Sequence, residues 1–373
     1  MIVASILITT LYVFLLLYLY RGQRKLKLFV LKSQPNIMSF SVVIPFRNEA
    51  NNLTELLQSF ADLNYPKEKY EIILVNDFSS DNYKPIIEKF KNVLPNLTCI
   101  DTELTEISPK KAALSLGISK AKYNWILTTD ADCSVPANWL KAYNQKIQQD
   151  KPLLIAGFVM FKRQRTFLDN FQTLDLLSLQ ATLLGTFGQQ KPLLCHGANL
   201  CFSKDLFKEL KGYNSHENIA SGDDVFLLES AFKKYPDKVA VLNSLDAVIS
   251  TNTESTLKKL ISQRTRWAAK GLTYKSWPIK IIGLIVFMMN LYLIVGGILS
   301  LFDLLSAKLF WFVFLVKFNL DAFILFKIAR FFKQESVLKS YVLSSFLYPL
   351  LSITSVFLGL TKGFTWKDRK FKK

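Results

Sequence analysis

Four long apolar segments constrain this chain more than any other feature. Residues 2–20 carry no charged side chain and are long enough to cross the hydrocarbon core of a bilayer as a helix. Three more apolar segments follow, at about 279–302, 309–326 and 341–360. A cleavable signal peptide is the competing interpretation of the first segment. It is disfavoured because the apolar run is long, no basic residue precedes it and no small-residue cleavage site follows.

Basic side chains flank these segments and account for part of the net charge of +18. Arg21, Arg24 and Lys25 follow the first segment, and the tail 362–373 is rich in lysine. Such clusters favour the cytoplasmic face and anionic lipid headgroups, which places the central region in the cytoplasm at the cell (inner) membrane. A cytoplasmic tail would require one C-terminal segment to be re-entrant or interfacial. No basic stripe interleaved with aromatic residues marks the central region, so nucleic acid is not the expected partner.

The predicted organisation has four parts. The middle C-terminal segment leaves the number of spans open, because Lys317 and Asp321 lie within or beside it and fit either a span with snorkelling ends or an interfacial segment. The predicted parts are an N-terminal transmembrane helix (1–22), a cytoplasmic domain (33–275), a membrane region with two or three spans (279–361) and a basic tail (362–373).

The cytoplasmic domain alternates short β-branched runs with amphipathic helical patterns. This alternation predicts an α/β fold with a mostly parallel sheet, whose ligands gather at the carboxyl ends of the strands. The predicted strands are 41–45, 71–76, 97–101 and 124–129, with helices near 49–60, 83–93 and 110–121. Later elements are helices near 137–149, 166–184, 222–234 and 256–270, the last at the membrane interface, and one strand at 152–160.

Polar motifs lie at the predicted strand ends. Asp130 and Asp132 follow one strand, and two carboxylates two residues apart can share a divalent cation already held by a substrate's phosphates. An Asp-x-Asp string is also common in solvated turns. Neither a dinucleotide-binding glycine fingerprint nor a P-loop is present. Two histidines and four cysteines without metal-ligand spacing argue against a histidine-ligated metal and a hydrolase triad.

The motifs together resemble glycosyltransferase family 2, and in particular its membrane-bound branch with cellulose and hyaluronan synthases and ceramide glucosyltransferase. The resemblance covers roughly residues 39–270. It rests on the strings SVVIPFRNEANNL, EIILVNDFSSD, KKAALSLGI, TTDADC, HGANLCF, GDDVFLLE and QRTRW. The family implies a GT-A fold, a mostly parallel sheet flanked by helices, here with transmembrane helices at both ends. It also implies a nucleotide-sugar donor, with a UDP-sugar favoured, and inversion at the anomeric carbon.

The resemblance assigns a donor site. Asp132 is the expected direct ligand of Mg²⁺ or Mn²⁺, and Asp130 is expected to contact the ribose or sugar while also serving the metal. Asn76 stands where the family often has a second acid. Lys111, beside the family lysine, is interpreted as solvated, and Glu49 and Asp81 also fit helix or turn capping. The remaining donor-site residues are Pro45, Arg47, Glu49, Asp77 and Lys110.

The resemblance also assigns the acceptor side. Asp224 is the expected catalytic base, and Asp223 replaces the commoner glutamate beside it. Both acids also suit the start of a helix, where the macrodipole favours carboxylates. Gln263, Arg266 and Trp267 match the Q-x-x-R-W string and are expected at the acceptor or diphosphate, although an amphipathic helix with an interfacial tryptophan explains them equally.

These expectations predict a membrane-bound, metal-dependent, inverting glycosyltransferase of the cell envelope. Its expected partners are a nucleotide sugar, the phospholipid bilayer and a lipid, lipid-linked or glycan acceptor. One alternative is a catalytically inactive membrane scaffold that retains the fold. Another is a small processive polysaccharide synthase, which is disfavoured because a translocation channel generally needs more spans. The identity of the sugar and of the acceptor cannot be predicted from the sequence.

Overall fold

The computed structural model describes residues 1–32, 36–102, 108–162, 166–213, 223–274, 276–361, 364–366 and 369–371. The chain forms two compact units. We call Leu26–Lys162 with Leu194–Asn252 the sheet unit, and Met1–Lys25, Arg163–Leu193 and Thr253–Lys373 the helical unit. Residues 163–193 thus belong to the same compact unit as the terminal helices. The domain limits given in the sequence analysis stay a prediction.

The elements follow the predicted alternation. The strands are β1 (Phe40–Phe46), β2 (Tyr70–Asn76), β3 (Leu97–Asp101), β4 (Trp125–Thr128), β5 (Cys133–Ser134), β6 (Leu154–Ala156), β7 (Val159–Phe161), β8 (Leu200–Ser203), β9 (Val239–Val241), β10 (Ile249–Thr251), β11 (Phe364–Trp366) and β12 (Arg369–Phe371). The helices are α1 (Ile2–Lys25), α2 (Ala50–Ala61), α3 (Lys84–Lys91), α4 (Pro109–Lys120), α5 (Trp139–Asp150), α6 (Phe167–Gly188), α7 (Lys204–Glu209), α8 (Asp223–Lys234), α9 (Leu257–Thr273), α10 (Trp277–Leu301), α11 (Ala307–Phe331) and α12 (Tyr341–Thr361).

The sheet unit is built on a sheet in the order β3-β2-β1-β4-β8-β6-β9. β1 to β4 are parallel, and β8 runs antiparallel to both β4 and β6. Val42, Ile44 and Leu74 are fully buried, as expected for parallel strands covered by helices on both faces. A Cβ at Gly117 of α4 would lie 2.4 Å from Val43 Cγ1, so α4 rests directly on β1. The predicted α/β fold class is confirmed.

The prediction of a single strand at 152–160 is wrong, because the structure has two short strands there, β6 and β7. β6 pairs with β8 in the large sheet, whereas β7 pairs with β10 in a second sheet of order β5-β10-β7. The break coincides with Asn199, whose side-chain amide donates to the Phe158 carbonyl at 2.7 Å. A Cβ at Gly157 would lie 2.4 Å from that amide nitrogen, so glycine lets the chain change sheets here.

The helical unit contains the four apolar segments. Among the described residues, α1, α10, α11 and the stretch Glu335–Thr361 are long and apolar enough to cross a membrane. Large apolar side chains such as Leu301, Phe312 and Phe357 are exposed on these helices, as expected for surfaces that face lipid. Three such helices lie in the C-terminal region, the upper figure of the predicted range.

α1 and α6 make a close helix contact within this unit. A Cβ at Gly22 would lie 1.9 Å from the Gly185 carbonyl oxygen, and one at Gly188 would lie 1.9 Å from the Gly22 oxygen. Small residues allow helix backbones to approach closely where packing, not water exclusion, drives association. The three glycines therefore fix the crossing of α1 and α6.

Candidate functional site

Two interlocked turns lie where β1 and β2 end side by side, with Phe46 paired to Asn76. Arg47 Nη1 donates to the carbonyl oxygens of Asp77, at 2.9 Å, and Phe78, at 3.2 Å. Asn48 and Phe78 both have a φ of about 52°, the left-handed region that turns a chain sharply. The predicted donor-site residues of these two strands are therefore brought together.

The Asp77 carboxylate is buried at this edge. Only 4% of the residue is exposed, and its backbone N–H donates to Phe46 O at 2.8 Å. Pro45 lies one residue before the end of β1, where it pairs with Val75. Both residues are placed at the carboxyl edge of the parallel strands, as predicted.

Asp81 binds the start of α2. Its Oδ2 accepts the Ala50 N–H at 2.6 Å, which satisfies one of the free amides at that helix end. Glu49 occupies the cap position but makes no side-chain capping bond, and its Oε2 instead accepts from Asn52 Nδ2 at 2.5 Å. The prediction that the Glu49 side chain caps α2 is therefore wrong. The Asp81 carboxylate caps this helix from the neighbouring turn.

Asn76 has a structural explanation. Its amide donates to Tyr83 OH at 2.9 Å and to Asp101 Oδ1 at 2.8 Å, and its oxygen accepts the Ser79 N–H at 2.9 Å. An acid at this position would set a second carboxylate against Asp101. The amide therefore replaces the family's second acid because it joins the ends of β2 and β3.

Lys110 meets the Asp-x-Asp motif directly. Its Nζ lies 2.7 Å from Asp130 Oδ1, and the two side chains keep 25% and 37% of their surface exposed. The neighbouring Lys111 is not solvated, contrary to expectation: it is 1% exposed, and its Nζ lies 5.5 Å from the centre of the Phe226 ring. Consecutive residues point about 100° apart on a helix, which separates the two lysines.

The Asp130–Asp132 carboxylates suit a cation that arrives with its own ligands. Asp132 is exposed directly before β5, in the turn that follows β4, and the Asp130 carboxylate is partly exposed. No cluster of three His, Cys, Asp or Glu side chains able to hold a metal ion exists among the described residues. Hard divalent cations need six or so oxygens, so this pair fits Mg²⁺ or Mn²⁺ when diphosphate or water oxygens complete the set.

Asp224 is held next to the end of β4 through the loop before β8. Its Oδ2 accepts the Gly197 N–H and its Oδ1 accepts the Val225 N–H, both at 2.9 Å. The Gly197 carbonyl in turn accepts the Thr128 hydroxyl at 2.6 Å, two residues before Asp130. The predicted base is thus linked to the strand that carries the predicted metal site. Asp223 begins α8, but its side chain lies outside the described residues.

Two further residues, His196 and Asn199, belong to the same loop, beside the Gly197 amide that donates to Asp224. Burial lowers the pKa of His196 to about 4, so its imidazole is neutral at pH 7, and Nε2 finds no hydrogen-bond partner among the described residues. Asn199 is fully buried; its Oδ1 accepts from Trp139 Nε1 at 2.9 Å and from Tyr143 OH at 2.8 Å. The amide fixes the loop that holds Asp224.

The Q-x-x-R-W residues lie on α9 in the helical unit. Gln263 Nε2 donates to Glu254 Oε1 at 2.8 Å. The buried charge of this helix belongs to Arg264, which pairs with Asp175 of α6 and lies over the Trp267 ring, 4.1 Å from its centre. Arg266 is partly buried on the same helix. The sequence missed Arg264 because its partner is 89 residues away along the chain.

A mixed sheet that carries acidic and basic side chains at the ends of its parallel strands is typical of the GT-A class. A solved mannosyltransferase, PcManGT from Pyrobaculum calidifontis in complex with GDP-Man and Mn²⁺, superposes with a TM-score of 0.60 over 96% of this chain and 99% of its own, at 18% identity. The Glycosyl transferase family 2 model matches residues 41–211. Over these residues the chain is similar to glycosyltransferase family 2.

Curated relatives agree with this family. Glycosyltransferase AglE of Haloferax volcanii is 26% identical over 187 residues, which cover 50% of this chain and 58% of the relative. Poly-beta-1,6-N-acetyl-D-glucosamine synthase of Staphylococcus epidermidis is 25% identical over 263 residues, covering 67% of this chain and 60% of the synthase. The chain spans less than two thirds of the length of these relatives.

Proposed function

We propose that this protein transfers a sugar from a nucleotide-sugar donor to a lipid, lipid-linked or glycan acceptor, with inversion at the anomeric carbon. The observation that carries the proposal is the link from Thr128 through Gly197 to Asp224, which brings a fixed carboxylate to the strand end that bears Asp130. The names of the relatives, a mannosyltransferase and a polysaccharide synthase, agree with sugar transfer.

Asp224 is the proposed base. Both of its oxygens are oriented by backbone amides, and a carboxylate can accept the proton of the acceptor hydroxyl as a general base. Asp77 and Arg47 form the nucleotide end of the site, where a buried carboxylate can accept from a base or ribose. Lys110 would turn from Asp130 to the diphosphate. Asp130 and Asp132 are the residues that would hold Mg²⁺ or Mn²⁺, which would supply positive charge to the departing nucleoside diphosphate.

The proposed location is the inner membrane, with the sheet unit on the cytoplasmic face, where nucleotide sugars are made. The basic residues at the end of α1 support this orientation.

A UDP-sugar is the favoured donor on the family resemblance. Gln263, Arg266 and Trp267 are the proposed acceptor-side residues. Processive synthesis remains the second candidate because the synthase among the relatives shares this family.

Release of nucleoside diphosphate from a panel of nucleotide sugars, measured with membranes that contain the full chain, tests this proposal. Asp224→Asn should lower the rate by about 10²–10⁴-fold because it removes the base. Asp237→Asn, which alters an exposed acid of the same unit, is the matched control and should leave the rate unchanged. Parent-like release by Asp224→Asn with acceptor present would overturn the base. Full activity in excess chelator would overturn the metal.

A further inference from the structure

A cavity of about 130 Å³ lies within the helical unit, among α1, α6, α10, α11 and α12. Its walls are mostly apolar and include Leu15, Leu174 and Ile324. Such walls suit hydrocarbon. Ser345 and Tyr348 on the α12 wall are only partly buried, so the cavity is not sealed from the surroundings of the helices.

A polar group interrupts these apolar walls. Asp321 accepts from Tyr12 OH at 2.6 Å and from Lys317 Nζ at 2.5 Å, and all three residues line the cavity. Lys317 is therefore buried in the middle of α11 and does not snorkel toward an interface. Ionisable groups inside a membrane protein are costly, so they commonly mark a functional site.

Two hydrogen-bond donors of the cavity are available to a ligand. Lys317 carries three N–H bonds, of which Asp321 accepts one within the described part of the chain. Ser344 is 4% exposed, and among the described residues its Oγ has no hydrogen-bond partner. Because a buried hydroxyl without a partner is costly, an oxygen atom of a ligand would stabilise this wall.

The charges of the lining cancel. Lys317 neutralises Asp321, and Arg264 neutralises the other lining carboxylate, Asp175. A phosphate in this cavity would add negative charge, and the described lining residues offer no further cation to compensate it, so its desolvation cost would be large. An uncharged hydroxyl or ester oxygen accepts from the same donors without that cost.

We propose that this cavity binds a neutral membrane lipid of the diacylglycerol type. Its ester or hydroxyl oxygens accept from Ser344 and Lys317, and the first methylene groups of one acyl chain lie along the apolar walls, because a cavity of about 130 Å³ holds only part of such a chain. The site goes beyond the proposed sugar transfer, because lipid binding here requires no donor, metal or base.

Photolabelling of the full-length protein in phosphatidylcholine nanodiscs tests this site. The probe is a diacylglycerol with a diazirine in one acyl chain, used without nucleotide sugar, so that failure of sugar transfer cannot affect the result. Label should map to peptides of α1, α11 or α12. Unlabelled diacylglycerol should displace it, and phosphatidic acid with the same chains should compete at least about tenfold more weakly.

Matched serine variants locate the polar contact. Ser344→Ala should reduce labelling several-fold, and Ser344→Thr, which keeps the hydroxyl, should retain it. Ser345→Ala is the control because its hydroxyl already donates to Val342 O at 2.7 Å. Thermal unfolding checks that each variant is folded. Equal competition by phosphatidic acid, label that diacylglycerol does not displace, or parent-like labelling of Ser344→Ala would each overturn the proposal.

Discussion

The ion pairs described in the two units differ in their exposure. The Lys110–Asp130 pair of the sheet unit keeps 25% and 37% of its side-chain surface exposed, whereas Arg264 and Asp175 in the helical unit keep 7% and 6%. An exposed pair contributes little to stability and is easily broken. Breaking a buried pair leaves an uncompensated charge. The ion pair that would rearrange around a substrate is therefore the exposed one, and the pair that joins two helices is enclosed.

The largest expected effect follows from removing one partner of the enclosed pair. Asp175→Ala should lower the free energy of unfolding by about 3–5 kcal/mol, because the Arg264 guanidinium remains buried without its carboxylate. Thermal or denaturant unfolding of the purified protein in detergent measures the change. Glu88→Ala, which removes the exposed partner of Lys91, is the control and should cost less than about 1 kcal/mol. Equal destabilisation by the two variants would contradict the comparison.

An intermediate effect is expected where the sheet unit has an enclosed polar contact of its own. Asn76→Asp should cost about 1–3 kcal/mol, because it removes the donors to Tyr83 and Asp101 and adds a like charge beside Asp101. Asp101→Asn in the same background should restore much of the loss, since the new amide can donate to the new carboxylate. Denaturant unfolding of the two single variants and the double variant gives the coupling energy. Additive losses would show that the two side chains do not interact.

The smallest effect on stability is expected at the exposed pair. Lys110→Met should change the free energy of unfolding by less than about 1 kcal/mol. It should nevertheless raise the KM for the nucleotide sugar, because the ammonium is proposed to contact the diphosphate. Lys91→Met, at another exposed pair, should change neither quantity. An unaltered KM in Lys110→Met would remove Lys110 from the donor site.

The sequence predicted the first part of the sheet unit, β1 to β4, well because its signals are local. β-Branched runs placed β1 to β4 to within about one residue, and the strand-end motifs followed from them. Contacts between distant residues were not predicted. Examples are Asp81 capping α2, Asn199 holding the loop of Asp224, and Arg264 paired with Asp175, each of which joins residues at least 25 apart in the chain. Periodicity carries no information about such pairings.

The glycine contact between α1 and α6 has a consequence for biosynthesis. α1 precedes α6 in the chain, and the helix against which its Gly22 packs begins about 140 residues later. At ~5–20 residues per second, the ribosome makes that interval in roughly 7 to 28 seconds. During this time α1 has no α6 to pack against. Nascent chains that end before α6 should therefore depend most on membrane chaperones.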